Sequence, residues 1–231
     1  LSYQEIIRVA EILGRRSHGF VYRGVAEYVG FSKEPQSGDA VDHLVELAST
    51  FSTDEPLYVV AIGAISNVAS AILREPKIVD RMVVVWLGGN AADWPSSFDP
   101  WAAFNLRQDV GGGQVLFDSG VPLVYVPTAG VSSHVLTTVP EIDTYVEPNG
   151  EIGAFLARRF REHRTVHRAW AKELWDMAAV AYLINAGWTP SIVVPAPILG
   201  DDMSWNHGKA RHPIRYVRHV YRNPVFRDFF D

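Results

Sequence analysis

The 231-residue chain is 48% hydrophobic and 20% charged, with a mean hydropathy of +0.01. These values exclude a disordered chain and supply enough apolar side chains for a sizeable core. A net charge of −5 argues against a general nucleic-acid binder, whose affinity rests on Lys and Arg neutralising phosphates, and the absence of Cys excludes disulfides, thiol nucleophiles and Cys-bound zinc.

Ile6, Ile7, Val9, Ala10 and Leu13 recur at helical spacing and Gly14 follows as a stop, which predicts an N-terminal helix. Phe20 to Tyr22 reads as a short strand ending at Gly24, and Gly30 to Gly38 as a polar loop. Val41, Leu44, Val45 and Ala48 mark a second amphipathic helix. Leu57 to Ile62 is a continuous apolar run rich in β-branched residues, the pattern of a parallel strand buried on both faces. A helix over Ile65 to Leu73 follows, then a second buried strand, Met82 to Leu87, ended by Gly88-Gly89. Gly113 to Phe117 suggests a short helix and Val121 to Val126 a third buried strand. Ile152 to Phe160 and Ala169 to Ile184 read as helical, and Ile192 to Val194 as a last strand. The basic, aromatic region from Lys209 to Arg227 reads as a solvated surface with packed aromatics. Alternating strands and helices predict an α/β architecture with right-handed crossovers. Residues 1–231 are read as one domain, with Pro148 to Gly150 as the internal seam.

In such sheets ligands bind beyond the carboxyl ends of the strands. That rule selects Ile62-Gly63-Ala64, Leu87-Gly88-Gly89-Asn90 and Pro127-Thr128-Ala129-Gly130. Asp176 opens the apolar run Met177 to Leu183, where a carboxylate serves either as a helix-start residue or as a metal ligand.

Four segments, in order, resemble the inosine-uridine-type nucleoside hydrolase family. They are Ala61 to Asn67, Glu75 to Arg81 leading into Trp86-Leu87-Gly88-Gly89, Phe104 to Asp109, and Trp175-Asp176 with Ala179 to Leu183. The resemblance implies a Rossmann-like, mostly parallel sheet with flanking helices. It also implies hydrolysis of the N-glycosidic bond of ribonucleosides by a water that a bound Ca2+ activates. Calcium is a hard cation that takes oxygen ligands, and negative charge nearby favours an oxocarbenium-like transition state. Asp176 matches the family's late metal-ligand aspartate, and Ile62 the position whose backbone carbonyl binds the metal. Asn105 matches the asparagine that holds ribose, and Leu87 a residue lining the sugar site. Homo-oligomers are the family's habit.

The chain departs from the family in three places. The aspartate cluster Asp-x-Asp-x-x-x-Asp-Asp has no counterpart, since no Asp precedes Asp39. Leu1 to Leu13 resembles the helix after the family's second strand, so the first strand, first helix and second strand are expected to be missing. Trp175 replaces a His that protonates the leaving base; Trp does not titrate usefully but can stack on a base, and a Trp-Asp branch of the family shares the change. Ala103 replaces a Glu that contacts ribose, and Ser97 lies near a family asparagine position. His134 is a candidate acid or a buried structural His, and the pair His163 and His167 lacks the intervening Glu of a zinc helix.

The expected function is ribonucleoside hydrolysis. The alternative is a non-catalytic nucleoside- or sugar-binding protein, or an inactive fragment serving as an interaction module. No apolar run approaches the roughly 20 residues of a membrane span and no signal peptide is visible at Leu1 to Glu5, so a reducing, cytoplasmic setting is the expectation.

Overall fold

The computed structural model describes residues 2–94, 103–207 and 210–231. Helices α1 (Ser2–Ile12) and α2 (Asp39–Ser49) precede strand β1 (Leu57–Ala61) and helix α3 (Ser66–Arg74). A 3-10 turn, Pro76–Arg81, leads into β2 (Met82–Leu87). Helices α4 (Phe104–Gln108) and α5 (Val110–Asp118) lead to β3 (Leu123–Val126). Next come β4 (Leu136–Thr137), α6 (Val139–Glu141), α7 (Gly150–Glu162), β5 (Lys172–Glu173) and α8 (Met177–Ile184). The chain continues through β6 (Ser191–Pro195), the pair β7 (Ile198–Leu199) and β8 (Trp205–Asn206), β9 (Pro213–Val217) and α9 (Arg222–Phe230).

The central sheet has the order β1-β2-β3-β9-β6 among the described residues. β1, β2, β3 and β9 run parallel, and β6 closes the far edge antiparallel to β9. The period-2 geometry of a strand sends alternate residues to opposite faces. Val84, Trp86, Leu123, Tyr125 and Ile214 join the core formed with α3 and α5. Val85, Leu87, Val124, Val126 and Val217 join the core on the other face with α8 and α9. Helices on both faces are why these strands read as unbroken apolar runs.

The structure corrects four sequence expectations. Phe20 to Tyr22 form no strand: the amides of Phe20 and Val21 both bond to the Ser17 carbonyl in a turn, and Phe20 is exposed. The helix expected over Ala169 to Ile184 begins at Met177, because Lys172 and Glu173 are taken by the antiparallel pairing with Thr137 and Leu136. The strand at Ile192 to Val194 is present as β6 but is not the last, since β9 follows it and pairs with it antiparallel. Lys209 to Arg227 is more than surface: β9 within it lies between β3 and β6, with Ile214 and Val217 buried.

An aromatic layer lies under the carboxyl ends of the strands. Trp86, Phe117, Tyr125, Trp205 and Tyr216 pack with ring centroids 5.1–6.3 Å apart in tilted or edge-on pairs. Burial raises the Tyr125 pKa well above its ordinary value, so the phenol stays protonated and donates to the Asn90 carbonyl at 3.0 Å. Gly89 turns over this layer at φ +59°, and a Cβ there would come within 2.2 Å of the Tyr125 hydroxyl. Gly89→Ala is expected to destabilise by about 2–3 kcal/mol, from left-handed strain plus overpacking. Adding Tyr125→Phe should recover part of that loss in a urea double-mutant cycle, since it removes the atom the methyl meets.

Candidate active site at the carboxyl ends of the strands

Because β1, β2, β3 and β9 are parallel, residues 62–65, 88–94, 127–135 and 218–221 all leave the sheet at the same end. Hydrogen bonds stitch these loops together. The Thr128 amide and hydroxyl both donate to the Gly89 carbonyl, and Ala91 N donates to Ala129 O at 2.9 Å. Trp86 Nε1 donates to Gly63 O at 3.0 Å, and Ala92 N to the Tyr216 hydroxyl at 3.0 Å. The glycines of these loops therefore serve backbone-to-backbone approach as well as turning.

Asn105, at the start of α4, reaches across two of these strand ends. Its Nδ2 donates to Leu87 O at 2.8 Å and to Ile62 O at 3.2 Å. Three of the five residues singled out from the sequence are thus joined through one side chain. Both amide hydrogens of Asn105 are spent on protein carbonyls, which leaves Oδ1 as its acceptor toward a ligand. The Leu87 side chain is 1% exposed and packs in the core, so its contribution at the surface is its carbonyl. Asn105→Ala is expected to cost about 1–2 kcal/mol, read from a shifted urea midpoint at unchanged slope, because the Leu87 and Ile62 carbonyls lose their donor.

Asp109 belongs to the same sequence segment but serves the fold. It is 2% exposed and accepts from Val29 N, Gly30 N and Gly112 N at 2.8–3.0 Å, and from the Ser66 hydroxyl. It caps α5, holds the 29–30 loop and pins the start of α3 at once.

Asp176 stands at the start of α8, and its side chain makes no capping hydrogen bond. Its place at the helix start still sets it at the positive end of the helix dipole. Its carboxylate reaches the surface beside a groove of about 310 Å³ walled by Met177, Val180, Ile184, Trp188 and Phe229, with Asp228 also on the lining. Partial burial against this apolar wall raises the Asp176 pKa, and Lys172 counters with a smaller downward pull. Trp175 is half-buried and packs against the core cluster that contains Leu87. α8 itself lies against β1 and β2, the strands that end at Ile62 and Leu87. Asp176 is thus on a helix that packs on the strands ending at Ile62 and Leu87, and among the described residues no hydrogen bond joins it to Asn105.

The remaining candidates separate cleanly. His163 and His167 both pack on the Trp170 ring, and His167 Nε2 lies 3.0 Å from Arg161 O. Among the described residues no group of three or more His, Asp or Glu could hold a metal ion. Ser97 lies outside the described residues.

Comparison with known proteins bears on the family and the fold. The family model described as inosine-uridine preferring nucleoside hydrolase matches residues 6–219. The chain is 27% identical over 180 residues to a putative pyrimidine-specific ribonucleoside hydrolase, RihB, of Shigella boydii, covering 76% of this chain and 72% of that protein. It is 28% identical over 187 residues to the pyrimidine-specific RihB of Escherichia coli, covering 79% of this chain and 58% of that protein. Among solved structures, the purine-preferring ribonucleoside hydrolase from Gardnerella vaginalis superposes with a TM-score of 0.66 at 21% identity, over 84% of this chain and 65% of the other. The inosine-uridine preferring nucleoside hydrolase from Bacillus anthracis superposes with a TM-score of 0.65 at 16% identity, over 81% and 63%. The chain thus spans roughly three fifths to three quarters of the length of these relatives.

Proposed function

The chain belongs to the inosine-uridine preferring nucleoside hydrolase family, and from that premise we propose that it acts in hydrolysis of the N-glycosidic bond of ribonucleosides, with Asp176 contributing to a calcium site. The observation that supports this most is an uncapped, partly buried carboxylate beside a groove, in a chain that matches the family over residues 6–219.

The donor set fits calcium in part. Asp176 offers a carboxylate free of helix capping, and the Ile62 carbonyl keeps one lone pair after accepting from Asn105. Calcium takes roughly six to eight oxygens, so these two supply a minority of a shell that the described residues do not complete. When bound, calcium orients ribose hydroxyls and lowers the pKa of a water. The chain's own residues do the rest of the positioning in this reading. Asn105 Oδ1 accepts from a ribose hydroxyl, and Trp175 stacks on the base without donating a proton to it.

The domain reading follows the same line. β1 pairs only with β2 among the described residues, although its sequence is that of an inner strand. Tyr58 on β1 is 52% exposed, and apolar residues of the flanking helices, Ile6 on α1 and Leu183 and Ile184 on α8, face outward. We read residues 1–231 as one domain whose sheet is completed beside β1 by a further strand and its connections. An unpaired parallel edge with apolar flanks is an aggregation hazard that natural sheets cover.

Release of free ribose from inosine, uridine or cytidine in the presence of calcium tests the activity. No release by a protein that carries the strand beside β1 defeats it. The incomplete calcium shell favours one second reading, a nucleoside- or sugar-binding protein without turnover. Calorimetry with inosine or uridine separates the two, because heat of binding with no ribose released belongs to the second.

A further inference from the structure

The chain between α1 and α2 is strapped down by side chains of neighbouring elements. Asn67 Oδ1 accepts from Val25 N at 2.9 Å, Asp109 accepts from Val29 N and Gly30 N at 3.0 Å, and the Ser70 hydroxyl accepts from Gln36 N at 3.0 Å. Asn67 and Ser70 belong to α3 and Asp109 caps α5, so residues 25–36 are fixed near both ends and in the middle. Gly111 on α5 allows the close approach, since a Cβ there would lie 1.8 Å from Gly30 O.

This strap carries an exposed aromatic ring to α4. Tyr28 immediately precedes the two amides that Asp109 holds, and its hydroxyl donates to Gln108 Oε1 at 3.1 Å. Gln108 lies three residues on from Asn105, so the two side chains are neighbours on one side of α4, with Cβ atoms about 5–6 Å apart. Asn105 Nδ2 is taken by the Leu87 and Ile62 carbonyls, which leaves Oδ1 for a ligand. An exposed ring of fixed direction therefore stands beside an unspent acceptor.

The strap does not need Tyr28 to hold it, because four of its backbone amides are already bonded to buried or half-buried side chains. The Tyr28–Gln108 bond lies in the open and adds little to the fold. Its effect is to aim a large flat face, and a tyrosine has only two side-chain torsions to freeze in doing so. We propose that Tyr28 contacts the substrate, its ring packed on the apolar face of the ribosyl group whose hydroxyl Asn105 Oδ1 holds, with its direction set by Gln108. This rests on the nucleoside-hydrolase reading and adds to it a contact that is blind to the base. A ring against the sugar supplies binding and takes no part in bond cleavage, so its mark falls on KM.

The test follows ribose release from inosine and from uridine, with calcium, by a protein that carries the strand beside β1. Tyr28→Ala is expected to raise KM about tenfold for both nucleosides alike, with a smaller change in kcat, because an aromatic contact is lost. Tyr28→Phe, which keeps the ring and loses the Gln108 bond, should fall between wild type and Tyr28→Ala. The urea midpoint should hold, as it does for most exposed positions. Should Tyr28→Ala lower it, Tyr28→Leu, which keeps bulk without a flat face, takes its place with the same expected rise in KM. An unchanged KM overturns the proposal, and so does a rise for one nucleoside alone, which would set the ring against the base. Either result, with ribose still released by the wild type, leaves the hydrolase reading standing. No release by the wild type defeats that reading and the proposal with it.

Discussion

Asp109→Ala is expected to destabilise the protein by about 3–5 kcal/mol, measured as a lowered urea midpoint and a lower Tm. The carboxylate satisfies three backbone N–H groups and one hydroxyl in a site that is 2% exposed. Each buried donor left without an acceptor costs about 1–3 kcal/mol, and the Ser66 hydroxyl and any entering water relieve part of the total. The loss extends beyond one contact, because the 29–30 loop, α3 and α5 share this single anchor. Asp109→Asn, which keeps the shape but sets an NH2 among donors, should fall between wild type and Ala. A change below about 1 kcal/mol in Asp109→Ala would mean that the loop and helices are held without it.

Asp176→Asn is expected to move stability and function in opposite directions. The apolar wall raises the Asp176 pKa, so the folded state disfavours the charge. A raised folded pKa gives stability that is fully present below the ordinary carboxylate value of about 3.9 and is lost as the pH rises through the folded value. At neutral pH the ionised carboxylate is therefore a cost in the protein free of metal, and Asn removes it: the Tm should rise slightly. Calcium affinity should fall by at least about 100-fold, the upper end of what changes to supporting residues cost at metal sites. Ribose release should vanish with it. Unchanged calcium binding in this variant would remove Asp176 from the metal site and leave the groove without its proposed role.

Much of the sheet is legible in the sequence because three of its parallel strands are unbroken apolar runs. Leu57 to Ile62, Met82 to Leu87 and Val121 to Val126 contain no charge to interrupt the apolar run. β9 escaped that test: Pro213-Ile214-Arg215-Tyr216-Val217 carries Arg215, which pairs across to Val124 and Val193 while its side chain is exposed. A strand beside the antiparallel edge tolerates such a residue, and single-sequence patterning reads it as surface. Helical spacing around Trp170 and Leu174 likewise concealed the β4–β5 ladder, whose partners lie some 35 residues apart. The candidate site was readable as residue types in order, with Asn105 and Asp176 both selected. The role of Asp109 was not readable, since Val29, Gly30 and Ser66, which give it meaning, lie 43 to 80 positions away.

The place of β9 in the sheet bears on how the chain reaches its structure. Among the described residues β6 pairs only with β9, and β9 joins it to β3 across a separation of about 90 residues, as in Val124 with Arg215. Among the described strands β9 is also the last to be synthesised. β1, β2 and β3 can therefore assemble during translation with their helical crossovers, while β6 waits with its apolar side chains unpartnered until β9 is made. Such non-local pairing is slow, and the waiting half-sheet is the species most exposed to self-association. Production yield, more than final stability, should then respond to changes in Ile192 and Val193, the outward residues of β6.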